Sequence, residues 1–287
     1  MIAVQLGGGI GNQLFQYAAA RALALRLGVP LALDLRLFDN HAARRYALDA
    51  FAIETVEIDR NAFPPSARRL SGQIASWFRA RRRFATFRER RFTFDPDVPA
   101  LPDWTWLAGN FQSERYFADQ AAVLRRDLAL RRPPEGKNRA IHDAIAGSLA
   151  VSLHVRRGDY VTNPRANAVH GLVGADFYRN AVQYVADRAG GAPAVFVFTD
   201  DPDWVAASLD IGCPFTLVRH NLAGAEAEDL RLMAACRHHI VANSSFSWWG
   251  AWLDASPDSM VIAPRPWFRD AAMDDSSLIP ERWIRLP

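Results

Sequence analysis

Val151-Ser152-Leu153-His154-Val155-Arg156-Arg157-Gly158-Asp159-Tyr160 is the stretch whose reading decides the fold. Its first five residues alternate as a strand does, and the next four are polar or glycine. A strand ending in such a cluster belongs to an α/β domain, where buried strands deliver functional groups at their carboxyl ends. Two adjacent guanidiniums are costly to hold together unless an anion neutralises them. Arg also supplies a planar donor fork that suits phosphate oxygens. His154, Arg156, Arg157 and Asp159 are therefore predicted to line a site for a phosphorylated ligand. Singly, each has a plainer reading, with Arg157 and Asp159 a surface pair at a turn and His154 a core residue. Their crowding into six residues favours the ligand.

Downstream, strand and helix patterns alternate regularly. The spacing predicts a strand over 151–155, a helix near 175–188 capped by Asp176, and a strand over 194–199. A helix from Pro202, a strand over 215–218, a helix over 226–237 and a strand over 239–242 follow, then a helix from Phe246 and a strand over 259–263. This alternation is the signature of a doubly wound parallel sheet, whose ligands lie beyond the strand carboxyl ends. Three such ends carry polar groups: His154 to Asp159, Thr199-Asp200-Asp201, and Asn243-Ser244-Ser245. In Ala242-Asn243-Ser244-Ser245-Phe246-Ser247-Trp248-Trp249-Gly250-Ala251-Trp252, hydroxyls at a helix start put side-chain and backbone donors at its positive end, which makes a phosphate site. Capping by Asn243 or Ser244 is the simpler alternative. Asp200, at the sheet rim, is a candidate to accept hydrogen bonds from a purine edge. Asp201-Pro202-Asp203 and Asp95-Pro96-Asp97 share a spacing found among metal ligands. A helix cap with first-turn acids and a turn explain them more simply, and no metal site is predicted.

Upstream, Ile2 to Leu6 reads as a strand, Gly7-Gly8-Gly9-Ile10-Gly11 as a tight turn, and Asn12 to Leu27 as a helix with Asn12 as N-cap and Gly28 as its stop. Gly9 and Gly11 permit close approach to backbone, but the loop lacks both the Lys-Ser/Thr of a P-loop and the G-x-G-x-x-G spacing. A tight turn and a cradle completed by the amides of Asn12 and Gln13 both remain open. Leu31 to Asp34 is a second strand, residues 36–103 are irregular, Trp104 to Gly109 is a returning strand, and Tyr116 to Leu128 is a helix. Trp77 to Phe84 is a basic run interleaved with aromatics, either a solvated helical face or a contact with an anionic membrane. Arg131-Arg132-Pro133-Pro134-Glu135-Gly136-Lys137-Asn138 breaks all periodicity, and divides the chain into domains 1–136 and 137–287.

At 287 residues, the chain is long enough for two cores, and 50% hydrophobic with 23% charged residues excludes disorder. The formal charge of +3 is dispersed and comes mainly from Arg, which suits an anionic small molecule or a membrane surface. No nucleic-acid recognition motif is present. Cys213 and Cys236, both in apolar settings, read as core thiols of a reducing compartment. Met1 to Leu6 runs into the glycines with no charged n-region or long apolar h-region, no run elsewhere approaches ~18 apolar residues, and the protein is expected to have no signal segment. It is expected to be cytoplasmic, with a peripheral place at the inner face of the membrane as the alternative.

Gly8-Gly9-Ile10-Gly11-Asn12-Gln13, His154-Val155-Arg156-Arg157-Gly158-Asp159-Tyr160, Phe198-Thr199-Asp200-Asp201 and Glu228-Asp229-Leu230 through the 243–252 block, in this order, resemble the α-1,2-fucosyltransferases of glycosyltransferase family 11. The resemblance implies an α/β GT-B fold, with two Rossmann-like doubly wound domains facing across a cleft. The first domain would be the acceptor side, and the second would bind GDP-fucose. It implies transfer to O2 of the galactose that ends an oligosaccharide or lipid-linked glycan, with inversion and with no cofactor or required metal. Arg156 would hold the β-phosphate, His154 would line the site and Asn12 would reach in from the first domain. Ser244 and Ser245 would take the pyrophosphate, and Asp200 and Glu228 the guanine or ribose. Gly9, Gly11, Arg157, Thr199, Asn243 and Phe246, from the same blocks, count with the donor-binding residues. Asp159 is a candidate general base, though it could equally orient Arg157, and water or a phosphate oxygen could serve instead. A fucosyltransferase of α-1,6 or α-1,3 linkage, or a non-catalytic nucleotide-sugar-binding module, are the alternatives.

Overall fold

The computed structural model describes residues 1–39, 45–64 and 84–287. The basic-aromatic run Trp77 to Phe84 lies outside them except for Phe84. The chain divides into two compact units, Met1–Ala129 and Leu130–Pro287. The division falls just before the Pro/Gly segment, which goes with the second unit and leads into a helix at Gly136.

The first unit comprises β1 (Ile2–Gln5), α1 (Ile10–Leu27), β2 (Leu31–Asp34), β3 (Ala85–Arg88), β4 (Thr105–Ala108) and α2 (Ala121–Asp127). Among the described residues its strands form one four-stranded sheet, all parallel, in the order β2-β1-β4-β3. Long helix α1 is Ala- and Leu-rich and buries most of its length, including Leu14, Phe15 and Tyr17. It stops at Gly28, whose φ of 63° is the left-handed closure that glycine adopts without penalty. Its start differs from expectation: Gly9 is the N-cap and uses no side chain, so Asn12 lies inside the first turn. The expected helix from Tyr116 breaks into two 3-10 turns before α2.

The second unit comprises α3 (Gly136–Ala146), β5 (Ala150–Val155), α4 (Gly158–Thr162), α5 (Pro164–His170), α6 (Ala175–Ala189), β6 (Ala194–Thr199), α7 (Pro202–Ser208), β7 (Phe215–Val218), α8 (Glu226–Ala234), β8 (His238–Ile240), α9 (Ser245–Leu253), β9 (Val261–Pro264) and β10 (Ile284–Leu286). The sheet order is β10-β9-β8-β5-β6-β7, all parallel. Every residue of β5 is buried, because the strand lies mid-sheet with neighbours on both edges. Val151, Leu153 and Val155 pack on one face with Phe177, Ala181 and Val185 of α6, at the helical spacing read from sequence. Ala150, Phe196 and Phe198 pack on another cluster with Leu232, Met233 and Cys236. Both cysteines are free thiols. The chain fills β5-β6-β7 outward on one side and then returns to lay β8-β9-β10 on the other. The strand order therefore reverses between β5 and β8, and a crevice opens there at the carboxyl ends. The α6 cap is Gly174 with no side-chain bond, so Asp176 does not cap it.

The other face of β5 carries a buried polar row. Ser152 Oγ lies 2.8 Å from His239 Nδ1, and His239 Nε2 lies 3.1 Å from Asp254 Oδ2. Ser152 and His239 are fully buried, so the row has no substrate access and acts as a tie between β5, β8 and the end of α9. Burial works against the Asp254 charge. Hydrogen bonds from His239 and the Ser256 N–H outweigh it and hold the carboxyl at about 2, below its ordinary 3.8. A depressed carboxylate pKa stabilises the fold above the unfolded value, and the contribution is lost as pH falls from about 4 through 2. Asp254→Asn should lower the melting temperature at pH 7, and the gap from the parent should narrow at pH 2 to 3 in paired thermal melts.

Candidate active site

The crevice is organised around Arg156, which follows the last residue of β5. Its Nη2 donates to Asp159 Oδ1 at 2.7 Å, and its Nη1 meets Asp200 Oδ2 at 2.8 Å. The guanidinium carbon stands 5.4 Å from the Tyr160 ring centre. Two carboxylates and an aromatic plate thus fix the fork, while the side chain stays 23% exposed and open to a ligand. Asp200 Oδ1 also accepts the Arg157 backbone N–H at 2.8 Å, tying the β5 and β6 ends together. Arg157 turns away, its Nε on Asp201 Oδ2 at 3.0 Å and its guanidinium 3.9 Å from the Trp204 ring centre. Adjacent arginines therefore do separate jobs, one facing the crevice and one anchoring α7. Asp201 also caps α7 by accepting from Trp204 N, and its own N–H donates to Thr199 Oγ1 at 3.0 Å. Asp97 N donates to Asp95 Oδ1 at 3.0 Å, a turn as expected from sequence.

The third strand end joins the other two. Tyr160 Oη donates to the Asn243 carbonyl at 3.1 Å, and Asn243 Nδ2 donates to the His170 and Gly171 carbonyls. Ser244 is the N-cap of α9 and accepts from Phe246 N. Ser247 is spent internally, its hydroxyl donating to the Ala242 and Ser244 carbonyls. The tryptophans anchor the helix body: Trp248, Trp249 and Trp252 are buried and mutually in contact, and Trp248 Nε1 donates to the Leu278 carbonyl. Phe246 sits against His154, with ring centres 5.3 Å apart. Burial, aided by nearby Arg156, drives the His154 pKa down to about 3, which favours the neutral imidazole. Ser245 begins α9, placing backbone N–H groups and the positive end of the helix dipole at the crevice. Glu228, in the first turn of α8, faces Arg231 Nη1 at 3.5 Å.

In the first unit, Gly8 takes φ +78°, and an added Cβ would press on Asn12 Nδ2 at 2.7 Å. Asn12 Oδ1 accepts from Gln112 Nε2 at 2.9 Å. Gln13, one of the two amides that would complete a cradle, is fully buried. It donates to the Gly8 and Arg45 carbonyls and accepts from Ala47 N, so it clamps the loop. Gln16 does the same between Gly7 N and the Gly109 carbonyl. This satisfies the glycine loop from within and supports the tight-turn reading.

Residues 88–286 match the sequence family described as Glycosyl transferase family 11. The chain belongs to glycosyl transferase family 11. An Escherichia coli protein named alpha-1,2-colitosyltransferase is 31% identical over 296 residues, covering 100% of this chain and 99% of that one. The mouse (Mus musculus) galactoside 2-alpha-L-fucosyltransferase Sec1 is 24% identical over 99% of this chain and 73% of its own. A mutant of Arabidopsis thaliana FUT1 in complex with GDP has a TM-score of 0.52 at 11% identity, covering 91% of this chain and 69% of that one, a likeness of fold. The architecture is the α/β arrangement of the GT-B class, and the protein is a fucosyltransferase-like glycosyltransferase.

For this family 11 enzyme the structure brings together His154, Arg156, Asp159, Asp200, Asn243, Ser244, Ser245 and Phe246 at the three strand ends of the second unit. Asp159 orients Arg156, where the sequence left Arg157 as the alternative. Asp200 has both oxygens engaged by the two arginines, which is a different task from the purine contact expected of it. Two residues with shifted titration were not singled out from the sequence. Asp229 accepts from Asn221 Nδ2 at 2.7 Å, and burial raises its pKa to about 6; it stood in the quoted Glu228-Asp229-Leu230 without being singled out. His170 belongs to a short helix whose pattern is too brief to read. No group of three or more His, Cys, Asp or Glu suited to a metal ion gathers among the described residues, and no described helix is long and apolar enough to cross a membrane.

Gly158 explains the glycine of the central block: a Cβ there would collide with Asp200 Oδ2. Gly158→Ala should displace Asp200 from both arginines and cost about 1–3 kcal/mol. Gly191→Ala, where a Cβ meets only Leu149 at 3.9 Å, should stay within about 0.5 kcal/mol of the parent in denaturant melts.

Proposed function

We propose that the enzyme transfers L-fucose from GDP-fucose to O2 of a terminal galactose, with inversion at the anomeric carbon. The observation that carries this reading is Arg156, held by Asp159 and Asp200 at the switch point where the N-terminus of α9 also opens. A diphosphate in this crevice would meet a rigid guanidinium fork and the N–H groups of Ser245 and its neighbours. When the sugar–phosphate bond breaks, the leaving GDP gains charge, and both elements are preorganised to meet it. These groups do the work a divalent cation does in other glycosyltransferases, so turnover is expected to persist in excess EDTA.

The acceptor and linkage rest on whole-chain similarity to enzymes named for α-1,2 transfer. That same similarity favours a second donor, the corresponding colitosyl nucleotide. Purified protein incubated with GDP-fucose or the colitosyl nucleotide and a panel of galactosides, N-acetylglucosaminides and chitin fragments, followed by linkage analysis, tests both. An α-1,2-fucosyl galactoside is the expected product. Another linkage, or GDP binding without turnover, overturns the reading.

Arg156→Lys keeps the charge and loses the bidentate fork. Because the phosphate contact strengthens as the bond breaks, kcat should fall on the order of 10²-fold, with a much smaller change in KM for the donor. Arg157→Lys should show the reverse balance, with turnover less affected and stability reduced, since it loses the Trp204 stack and the Asp201 bond. Steady-state kinetics paired with melts with and without GDP read both.

A further inference from the structure

A cavity of about 460 Å³ opens beside the site, between the end of α5 and the end of β9. Its wall includes His170, Asn243, Phe177, Arg265 and Arg269. The volume falls within the range of small-ligand sites, roughly 300–1,000 Å³. Asn243 immediately precedes the α9 cap, so the cavity begins where the pyrophosphate would end. Two residues of its wall each hold a polar atom that is buried without a hydrogen-bond partner: His170 at Nδ1, and Asn243, a residue 3% exposed, at Oδ1. Orphaned polar atoms of this kind are costly, and in native structures they call for an explanation such as a catalytic role.

The placement of His170 relative to Arg156 is fixed by one ring. The imidazole lies flat on Tyr160, with centres 4.7 Å apart and planes 4° from parallel, and Phe268 packs on it at 5.6 Å. The Arg156 guanidinium carbon stands 5.4 Å from the same Tyr160 centre. Guanidinium and imidazole are therefore separated by at most the sum of those distances, about 10 Å. That upper bound leaves room for an in-line displacement between them. The leaving oxygen, anomeric carbon and attacking oxygen together extend about 4–5 Å, with the attack distance near 3 Å. A hydrogen bond of about 2.8 Å at each end brings the whole to the order of 10 Å.

We propose that the acceptor hydroxyl meets the donor sugar at the mouth of this cavity and that His170 is the base that takes its proton. The inference rests on the glycosyl-transfer reading above and adds the catalytic base to it. In the step, the acceptor oxygen bonds to the anomeric carbon as the bond from that carbon to the β-phosphate oxygen breaks. The electron pair leaves with GDP, and the hydroxyl proton passes to the imidazole. The products are the glycoside, GDP and an imidazolium, which returns its proton to solvent. Asp159 is committed to Arg156 and is not needed as the base.

The charged and titratable groups around His170 are Asp159 and Tyr160 of α4, Arg156 before it, and Arg265 and Arg269 beyond β9. Burial lowers the His170 pKa below 6.5, with Asp159 opposing and Arg156 reinforcing the shift. The ring is thus neutral and able to accept a proton at neutral pH, and activity should fall as pH drops through that lowered value.

The test compares the wild type with His170→Asn and His170→Gln, using whichever glycosyl donor the wild type accepts. GDP affinity by calorimetry should stay within about threefold of the wild type. The kcat should fall on the order of 10²-fold or more, as for a lost general base. The acid limb of the kcat/KM profile, present in the wild type, should disappear in both variants. Retention of near-normal kcat and of the same acid limb in either folded variant overturns the inference while leaving the glycosyl-transfer reading intact. Absence of any glycosyl transfer by the wild type overturns both.

Discussion

Asp200 is the carboxylate on which the second unit's site depends. One oxygen holds the Arg156 fork and the other holds the Arg157 main chain, so a side chain at the end of β6 sets the path of the chain leaving β5. Close approach is possible because residue 158 has no Cβ to compete for the space. The carboxylate also offsets the repulsion between neighbouring guanidiniums, aided by Asp159 on one and Asp201 on the other. Three acids around two arginines give the cluster a formal charge of −1. Its capacity for an anion then comes from the open edge of Arg156 and from the adjacent helix end, and not from a large uncompensated field.

Much of the second unit was legible because a parallel sheet buried on both faces writes its strands as apolar runs. Ala194 to Thr199 and Phe215 to Val218 fall where the pattern put them. The clustering of polar groups at three strand ends also pointed correctly to one place. The failures have physical reasons. Helices α4 and α5 are too short to show a period, so His170 went unnoticed. Asn12 looked like a cap because amides favour that position, but Gly9 already starts the helix and the amide is one turn in. Gln13 stands where the helix dipole points, which kept a cradle open beside the tight turn, whereas its burial and its bonds to Gly8, Arg45 and Ala47 tie it to the loop. Asp200 and Asp159 carried the right chemistry with partners that only the fold reveals.

The α9 sequence divides its labour by position. Ser244 caps the start and Ser247 binds back to the preceding turn, while three tryptophans fill the interior behind them. Gly250 leaves room for Met233 of α8, since a Cβ there would sit 2.8 Å from its terminal methyl. A helix end that is to meet an anion without shifting needs a heavily packed body. The aromatic run, buried and in mutual contact, supplies that packing.

The strand order of the second unit also bears on how the protein is made. β5, β6 and β7 emerge in sequence and can pair with one another by neighbouring, fairly local contacts. β8 must then travel back past all three to reach the open edge of β5, a non-local closure that costs more chain entropy and comes later. The candidate ligand site straddles that seam, with Arg156 after β5 and Ser245 at the start of α9. A nucleotide that bridges them would act as a clasp, favouring only the fully closed sheet and lending it stability in proportion to its concentration. Inside a cell, the donor pool would then bear on how much of the newly synthesised enzyme survives, apart from any part it plays in turnover.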